Sequence, residues 1–315
     1  MRLDLGINTC FAVKRWPRPE DWAPVVRDTL GLRLVQHTLD LVEPPLGERS
    51  VVSAAAPVRS AAGSFGLRVH STFTGLAAYS ANLLLHPDPE ARSAARIRLH
   101  RAIAFTARVG AVATGGHVGA FSVPDWNDAT SRHRRWTVLR AELATLAGEA
   151  RRSGLEYLVV ENLAAAREPS TMAMIRELLT DGDQGRVPIR LCLDVGHMCV
   201  PGVTGPDADP YAWLRELGRQ SPIVQLQQSD ESGDHHWPFT AERNAAGRID
   251  ADRVIDALGE GGVDESALIL EVIPPFEQDD EAVLSDLRAS VDYWREALER
   301  RGVAGEGSLE DGQSR

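Results

Sequence analysis

The sequence predicts a single α/β domain in which eight parallel strands close into a (β/α)8 barrel. Three observations carry that expectation. Short apolar runs rich in β-branched residues recur eight times along the 315 residues, with longer segments of helical spacing between them. Several of these runs are almost continuously apolar, as strands covered on both faces must be. The length suits one barrel, a unit that commonly occupies about 250 residues. An open, doubly wound sheet is the competing arrangement. It is weaker because LGINTCF, after the first run, offers no glycine-rich phosphate loop.

The elements follow in order. Strands are expected at about 3–7, 33–37, 67–72 and 109–114, then at 156–161, 189–194, 223–227 and 267–272. Asp88 and Glu90, after Pro87, suit the opening turn of a helix before the fourth strand. Beyond Ala129, Trp136, Leu139, Leu143 and Leu146 step by three or four and mark one helical face. Val283, Leu287, Val291, Trp294 and Leu298 repeat that spacing near the end. No internal linker interrupts the series. The barrel is expected over 1–301, and the small, polar, Gly-rich stretch 302–315 reads as a disordered tail.

Composition narrows the function. Hydrophobic residues make up 43% and charged residues 25%, a soluble globular balance. Asp and Glu outnumber Lys and Arg by 45 to 34, so the net charge of -11 would repel nucleic acid. No apolar run approaches the roughly 20 residues of a membrane span, and MRLDLGINTC lacks a secretory h-region. Only Cys10, Cys192 and Cys199 are present, which excludes a disulfide scaffold and suits a reduced, cytoplasmic setting. A homodimer is the expectation from general frequency alone.

What terminates the later strands is the informative feature. YLVV ends in Glu161, LCL ends in Asp194, IV meets Gln225, and LIL ends in Glu271. In a parallel barrel such positions converge on the C-terminal rim. One carboxylate after a strand is as ready to cap the next helix as to bind anything. Three acidic groups gathered in one small volume would repel one another and lose hydration unless a cation compensates. Three carboxylates and an amide suit Mn²⁺ foremost, with Mg²⁺ or Co²⁺ as alternatives.

Histidines and one arginine extend the candidate site. His197 lies three residues past Asp194, His70 is read as ending the third strand, and His117 sits in GGHVG after the fourth. His236 belongs to the long loop SDESGDHHWPFTAERNAAGRID, which also offers Arg243 for an anionic group. A surface loop with ordinary ion pairs is the even alternative for that arginine.

VVEN, LCLDVGH, QLQQSD and LILEV, with Glu161, Asp194, His197, Gln225 and Glu271, resemble the xylose isomerase-like barrel superfamily of sugar isomerases and epimerases. Endonuclease IV belongs to the same superfamily. The resemblance spans nearly the whole chain to about residue 300. It implies a metal set of Glu, Asp, His and Glu on strands five to eight, with Gln225 standing where the family has histidine. CFAVKRW, HSTFTGLAAYSANLLLHPD and DHHWPFTAERNAAGRID are similar to a subgroup that acts as tetrulose-phosphate epimerases in tetritol catabolism.

The chemistry suits the residues. A hydrogen beside a carbonyl is too weakly acidic for an unaided carboxylate near neutral pH, and a chelating cation stabilises the enediolate that forms. Glu161 and Glu271 would flank a sugar or sugar phosphate as ligand and acid or base, while Asp194 and Gln225 complete the site. His197, His117, His70, His236 and Arg243 are the expected substrate contacts. An aldose–ketose isomerase would use the same groups. A dehydratase or decarboxylase of a keto-sugar acid is suggested by Gln225, since lyase relatives resemble this chain there. A phosphodiesterase like endonuclease IV is disfavoured by Gln225 and by the acidic balance.

Overall fold

The computed structural model describes residues 1–42, 48–303 and 305. Its frame is a closed barrel of eight strands, each paired in parallel with the next and the last with the first. The strands are β1 (Arg2–Asn8), β2 (Leu34–Thr38), β3 (Arg68–Phe73), β4 (Ala113–Gly116), β5 (Tyr157–Glu161), β6 (Ile189–Asp194), β7 (Ile223–Leu226) and β8 (Glu265–Leu270). All eight overlap the runs expected from sequence. The fourth is displaced furthest, because Val109 still belongs to the preceding helix and Gly110 caps that helix at φ 87. An apolar run with a glycine beside it did not separate a helix end from a strand start.

Helices α1 (Pro19–Pro24), α2 (Glu48–Ser64), α3 (Pro89–Val109), α4 (Val123–Asn127) and α5 (Ala129–Arg152) accompany the first half. The second half carries α6 (Met172–Leu178), α7 (Pro210–Leu217), α8 (Ala241–Ala246), α9 (Ala251–Glu260) and α10 (Asp280–Arg300). Asp88 caps α3 by accepting from Glu90 N, with Pro89 in the first turn. In α10 the stripe Val283, Leu287, Val291, Trp294 and Leu298 is buried throughout. In α5, Leu139, Leu143 and Leu146 are buried and Trp136 is half-buried.

Two apolar layers hold the barrel. Helix stripes cover its outside, whereas Leu34, Phe73, Val159, Cys192, Ile223, Ala267 and Ile269 form a separate interior cluster. That interior plug sets the position of the site. On β5, β6 and β8 the inward residue two places past it is Glu161, Asp194 or Glu271, since side chains alternate along a strand. The polar floor of the mouth therefore rests on an apolar core. No helix among the described residues is long and apolar enough to cross a membrane. Of the expected tail 302–315, residues 304 and 306–315 lie outside the described residues.

Candidate active site

Glu161 and Asp194 are the last residues of β5 and β6, Gln225 is the third of β7, and Glu271 follows β8 directly. All are buried. Asp194 is paired in register with Gln225, and Gln225 with Ile269, so the strands deliver these groups to one level of the rim. One oxygen each from Glu161, Asp194 and Glu271 lies within 4.8 Å of the other two.

Each carboxylate accepts hydrogen bonds through one oxygen, while His236 Nδ1 stands 3.6 Å from Glu271 Oε2 and His197 Nε2 4.0 Å from Asp194 Oδ2. Glu271 Oε1 accepts from Asn8 Nδ2 and Gln225 Nε2, both at 2.8 Å. Asp194 Oδ1 accepts from Gly196 N at 2.7 Å, His197 N at 3.2 Å and Gln227 Nε2 at 3.0 Å. Glu161 Oε1 accepts from the Tyr79 hydroxyl at 2.5 Å. The second oxygens, Glu161 Oε2, Asp194 Oδ2 and Glu271 Oε2, have no hydrogen-bond partner, and neither has Gln225 Oε1. Unpartnered buried carboxylate oxygens are costly, and a divalent cation satisfies several at once. The donor chemistry, hard oxygens from three carboxylates and an amide, fits such a cation.

The two glutamines of β7 and its exit differ in one decisive respect. Gln227 Oε1 already accepts from His236 N and Ser229 Oγ, both at 2.7 Å, which turns its amide nitrogen toward Asp194 and Asp234. Gln225 instead spends its nitrogen on Gln36 and Glu271 and keeps its oxygen free.

The electrostatics match a site built for an ion. Burial pushes Glu161 up to about 8, against the opposing influence of His197 and Tyr79. Burial likewise holds Glu271 well above the carboxylate range, and the Asp194 and Glu161 charges add to it. Burial would lower His197, but Asp194, Asp234 and Glu161 outweigh it and hold the imidazole well above its usual range. His236 is raised to about 9 by Asp234 against the same burial. Asp234, in turn, is held down by both imidazoles despite being buried. His197 Nδ1 lies 2.6 Å from the Asn162 carbonyl, which orients the ring, and its Nε2 is 3.3 Å from Asp234 Oδ2.

Among the expected substrate contacts, His197 and His236 stand in this cluster, their rings 5.5 Å apart. His117 is fully buried beside it, 3.3 Å from Glu168 and edge-on to Tyr79. Arg243 lies over the Trp237 ring at 4.2 Å, and Trp237 stacks on His235 at 3.9 Å, so the structure joins it to an aromatic stack on the β7 loop. His70 is the correction. The β2–β3 register passes from Val35↔Val69 to Gln36↔Ser71, so His70 is the extra residue of a bulge and β3 runs on to Phe73. Its ring faces the hydroxyl of Tyr157, which opens β5 at the end remote from Glu161.

Four contributors escaped the sequence reading: Asn8, Gln36, Tyr79 and Gln227. Asn8 ends β1, and Gln36 lies inside β2. The strand-end rule applied to strands five to eight would have found Asn8 had it been applied to the first strand. Tyr79 sits in a 3-10 turn and carried no such signal.

A closed parallel barrel with buried carboxylates and imidazoles gathered at its C-terminal mouth defines a TIM-barrel enzyme. More narrowly, the chain belongs to the xylose isomerase-like TIM barrel family, which it matches over residues 29–300. D-erythrulose 1-phosphate 3-epimerase of Brucella abortus (strain 2308) is 29% identical over 300 residues, 93% of this chain and 96% of that protein. A structure from Rhodospirillum rubrum ATCC 11170, named provisionally as a xylose isomerase, has a TM-score of 0.86 at 35% identity, covering 93% of this chain and 99% of that one. An L-ribulose 3-epimerase structure shares the fold, with a TM-score of 0.66 at 20% identity over 96% of this chain and 97% of that one.

Proposed function

We propose that this isomerase is a divalent-metal-dependent 3-epimerase of a ketose or ketose phosphate, with a tetrulose 1-phosphate as the first substrate to test. The observation that carries the reading is the gathering of Glu161, Asp194 and Glu271, one oxygen of each within 4.8 Å of the others, and each carboxylate keeping an oxygen without a hydrogen bond. The relatedness to an erythrulose-phosphate epimerase over most of both chains supports the substrate class.

Glu161, Asp194, Glu271 and Gln225 would hold the cation, Mn²⁺ before Mg²⁺ or Co²⁺. When bound, it supplies positive charge beside the ketose oxygens, where negative charge develops as the neighbouring C–H is deprotonated. The protein's own groups do the rest. Glu161 and Glu271 arise from strands separated by β6 and β7, so they address a substrate between them from two sides. One removes the proton, and the other returns a proton to the opposite face. His197 and His236, held cationic by Asp234, suit hydrogen-bond donation to a substrate oxygen.

The test is turnover of D-erythrulose 1-phosphate with Mn²⁺ in heavy water. Deuterium at C3 of both epimers is the expected result. Product without exchange, a shifted carbonyl, or loss of water by mass would replace this reading with a hydride-shift mechanism, an aldose–ketose isomerase or a lyase, respectively.

A further inference from the structure

Glu161 and Glu271 are anchored by different chemistry. Glu271 Oε1 is pinned by two amides, whereas Glu161 Oε1 accepts a hydrogen bond from the Tyr79 hydroxyl and has His197 Nδ1, itself bonded to the Asn162 carbonyl, at 3.5 Å. The terminal torsion of a glutamate is broad and nearly two-fold, so a carboxylate with no anchor swivels and exchanges its two oxygens. A donor on one oxygen removes that freedom.

Tyr79 is itself immobilised. Its ring stands edge-on to His117 at 5.0 Å and 89°, and to His197 at 6.0 Å and 74°. The 3-10 turn that carries it, Leu76–Ser80, is fastened to the loop after β2 by a single carboxylate. Asp40 Oδ2 accepts from Leu76 N at 2.6 Å and from Thr38 Oγ1 at 3.1 Å, and Asp40 Oδ1 accepts from Ala77 N at 3.0 Å. Gly75 enters this turn at φ 73, where a Cβ would overlap Asp40 Oδ2 and Thr38 Oγ1. Glycine is therefore strongly favoured at the point where the turn meets its clamp.

We infer that Tyr79 is a positioning residue for Glu161. Its phenol holds Oε1 so that Oε2 alone is offered to a divalent cation, and Asp40 holds the turn that makes this contact possible. The inference rests on the proposed reading of Glu161 as a ligand.

Metal-stripped protein titrated with Mn²⁺ by calorimetry, alongside circular dichroism, separates the two ideas. Tyr79→Phe keeps the ring and removes only the donor. Its affinity for Mn²⁺ is expected to fall about tenfold, the scale of one hydrogen bond to a charged group, with the fold intact by circular dichroism. Asp40→Asn is expected to weaken binding in the same direction, and Asp40→Asn/Tyr79→Phe no further than the weaker single variant. If Tyr79→Phe binds Mn²⁺ as the wild type does while Glu161→Gln does not, the positioning role is overturned and the metal-site reading stands. Weaker binding that comes only with loss of the folded circular-dichroism spectrum also overturns it, since the residue would then be structural. If Glu161→Gln binds Mn²⁺ like the wild type, Glu161 is no ligand and the proposed function fails with the inference.

Discussion

Glu271 and Glu161 carry the same group in different company, and that difference sets what each variant should do. A glutamine at position 271 still accepts from Asn8 and Gln225 through its remaining oxygen, so Glu271→Gln keeps that local network and loses the charge, the proton and the second oxygen offered to the cation. Removing a general acid–base residue typically costs 10²–10⁴-fold. The expected outcome is a fall of that order in kcat for epimerisation and in deuterium exchange, with the fold intact by circular dichroism. Gln225→Leu removes the unpartnered amide oxygen but also the donor to Glu271, so weaker Mn²⁺ binding by about tenfold is expected on the scale of a hydrogen bond to a charge. At this scale the sequence was legible where a residue's place on a strand decided its fate. Glu161, Asp194 and Glu271 follow from strand ends and alternation alone. His70 did not, because a one-residue bulge moves a side chain without leaving a mark in the local sequence. Tyr79 did not either, since its contact with Glu161 spans 82 positions and depends on how a turn folds back over the mouth.

Among the elements, the strands and the long helices could be read from periodicity, because each buries a regular stripe. The short turns over the barrel mouth could not, since backbone-to-side-chain hydrogen bonds shape them. The turn 76–80 is the test case: its position depends on Asp40 and on the left-handed conformation of Gly75. Gly75→Ala places a Cβ against Asp40 Oδ2 in a conformation that costs a non-glycine residue roughly 1–3 kcal/mol. Either the turn shifts or the clamp opens, so the urea midpoint should fall by that energy divided by the m-value, with m unchanged. A neutral result would mean that this loop is far more compliant than its hydrogen bonds indicate. A second element has a simpler lesson. Asp279 caps α10 by accepting from both Glu281 N and Ala282 N, and Asp279→Ala should cost about 1 kcal/mol without touching catalysis.

For the whole molecule, stability has an acid limb and an alkaline limb with separate origins. Burial holds His37 and His70 down at about 4, so both are neutral in the folded chain near pH 6. As pH falls from 6.5 toward 4 the unfolded chain takes up these protons first, and stability is lost across that window. Glu161 acts in the opposite sense. Its pKa, raised from 4.5 to about 8 without a cation, means that the folded chain holds a proton the unfolded chain has released. That contribution is complete below pH 4.5 and disappears as pH rises through 8. The raised pKa values of His197 and His236 act in the same sense. The metal-free protein should therefore melt at progressively lower temperature from pH 6 to pH 8.5, because it must ionise carboxylates packed against one another. A cation removes that cost by taking the place of the protons, so its binding strengthens with pH. The expected result is that the gap in melting temperature between Mn²⁺-loaded and chelator-treated protein widens steadily over pH 6–8.5. In Glu161→Gln the metal-free protein should lose much of the alkaline decline and be more stable at pH 8 than the metal-free wild type, while gaining far less from Mn²⁺. A gap that stays flat or narrows with pH would show that these carboxylates do not face the ion, however close their oxygens lie.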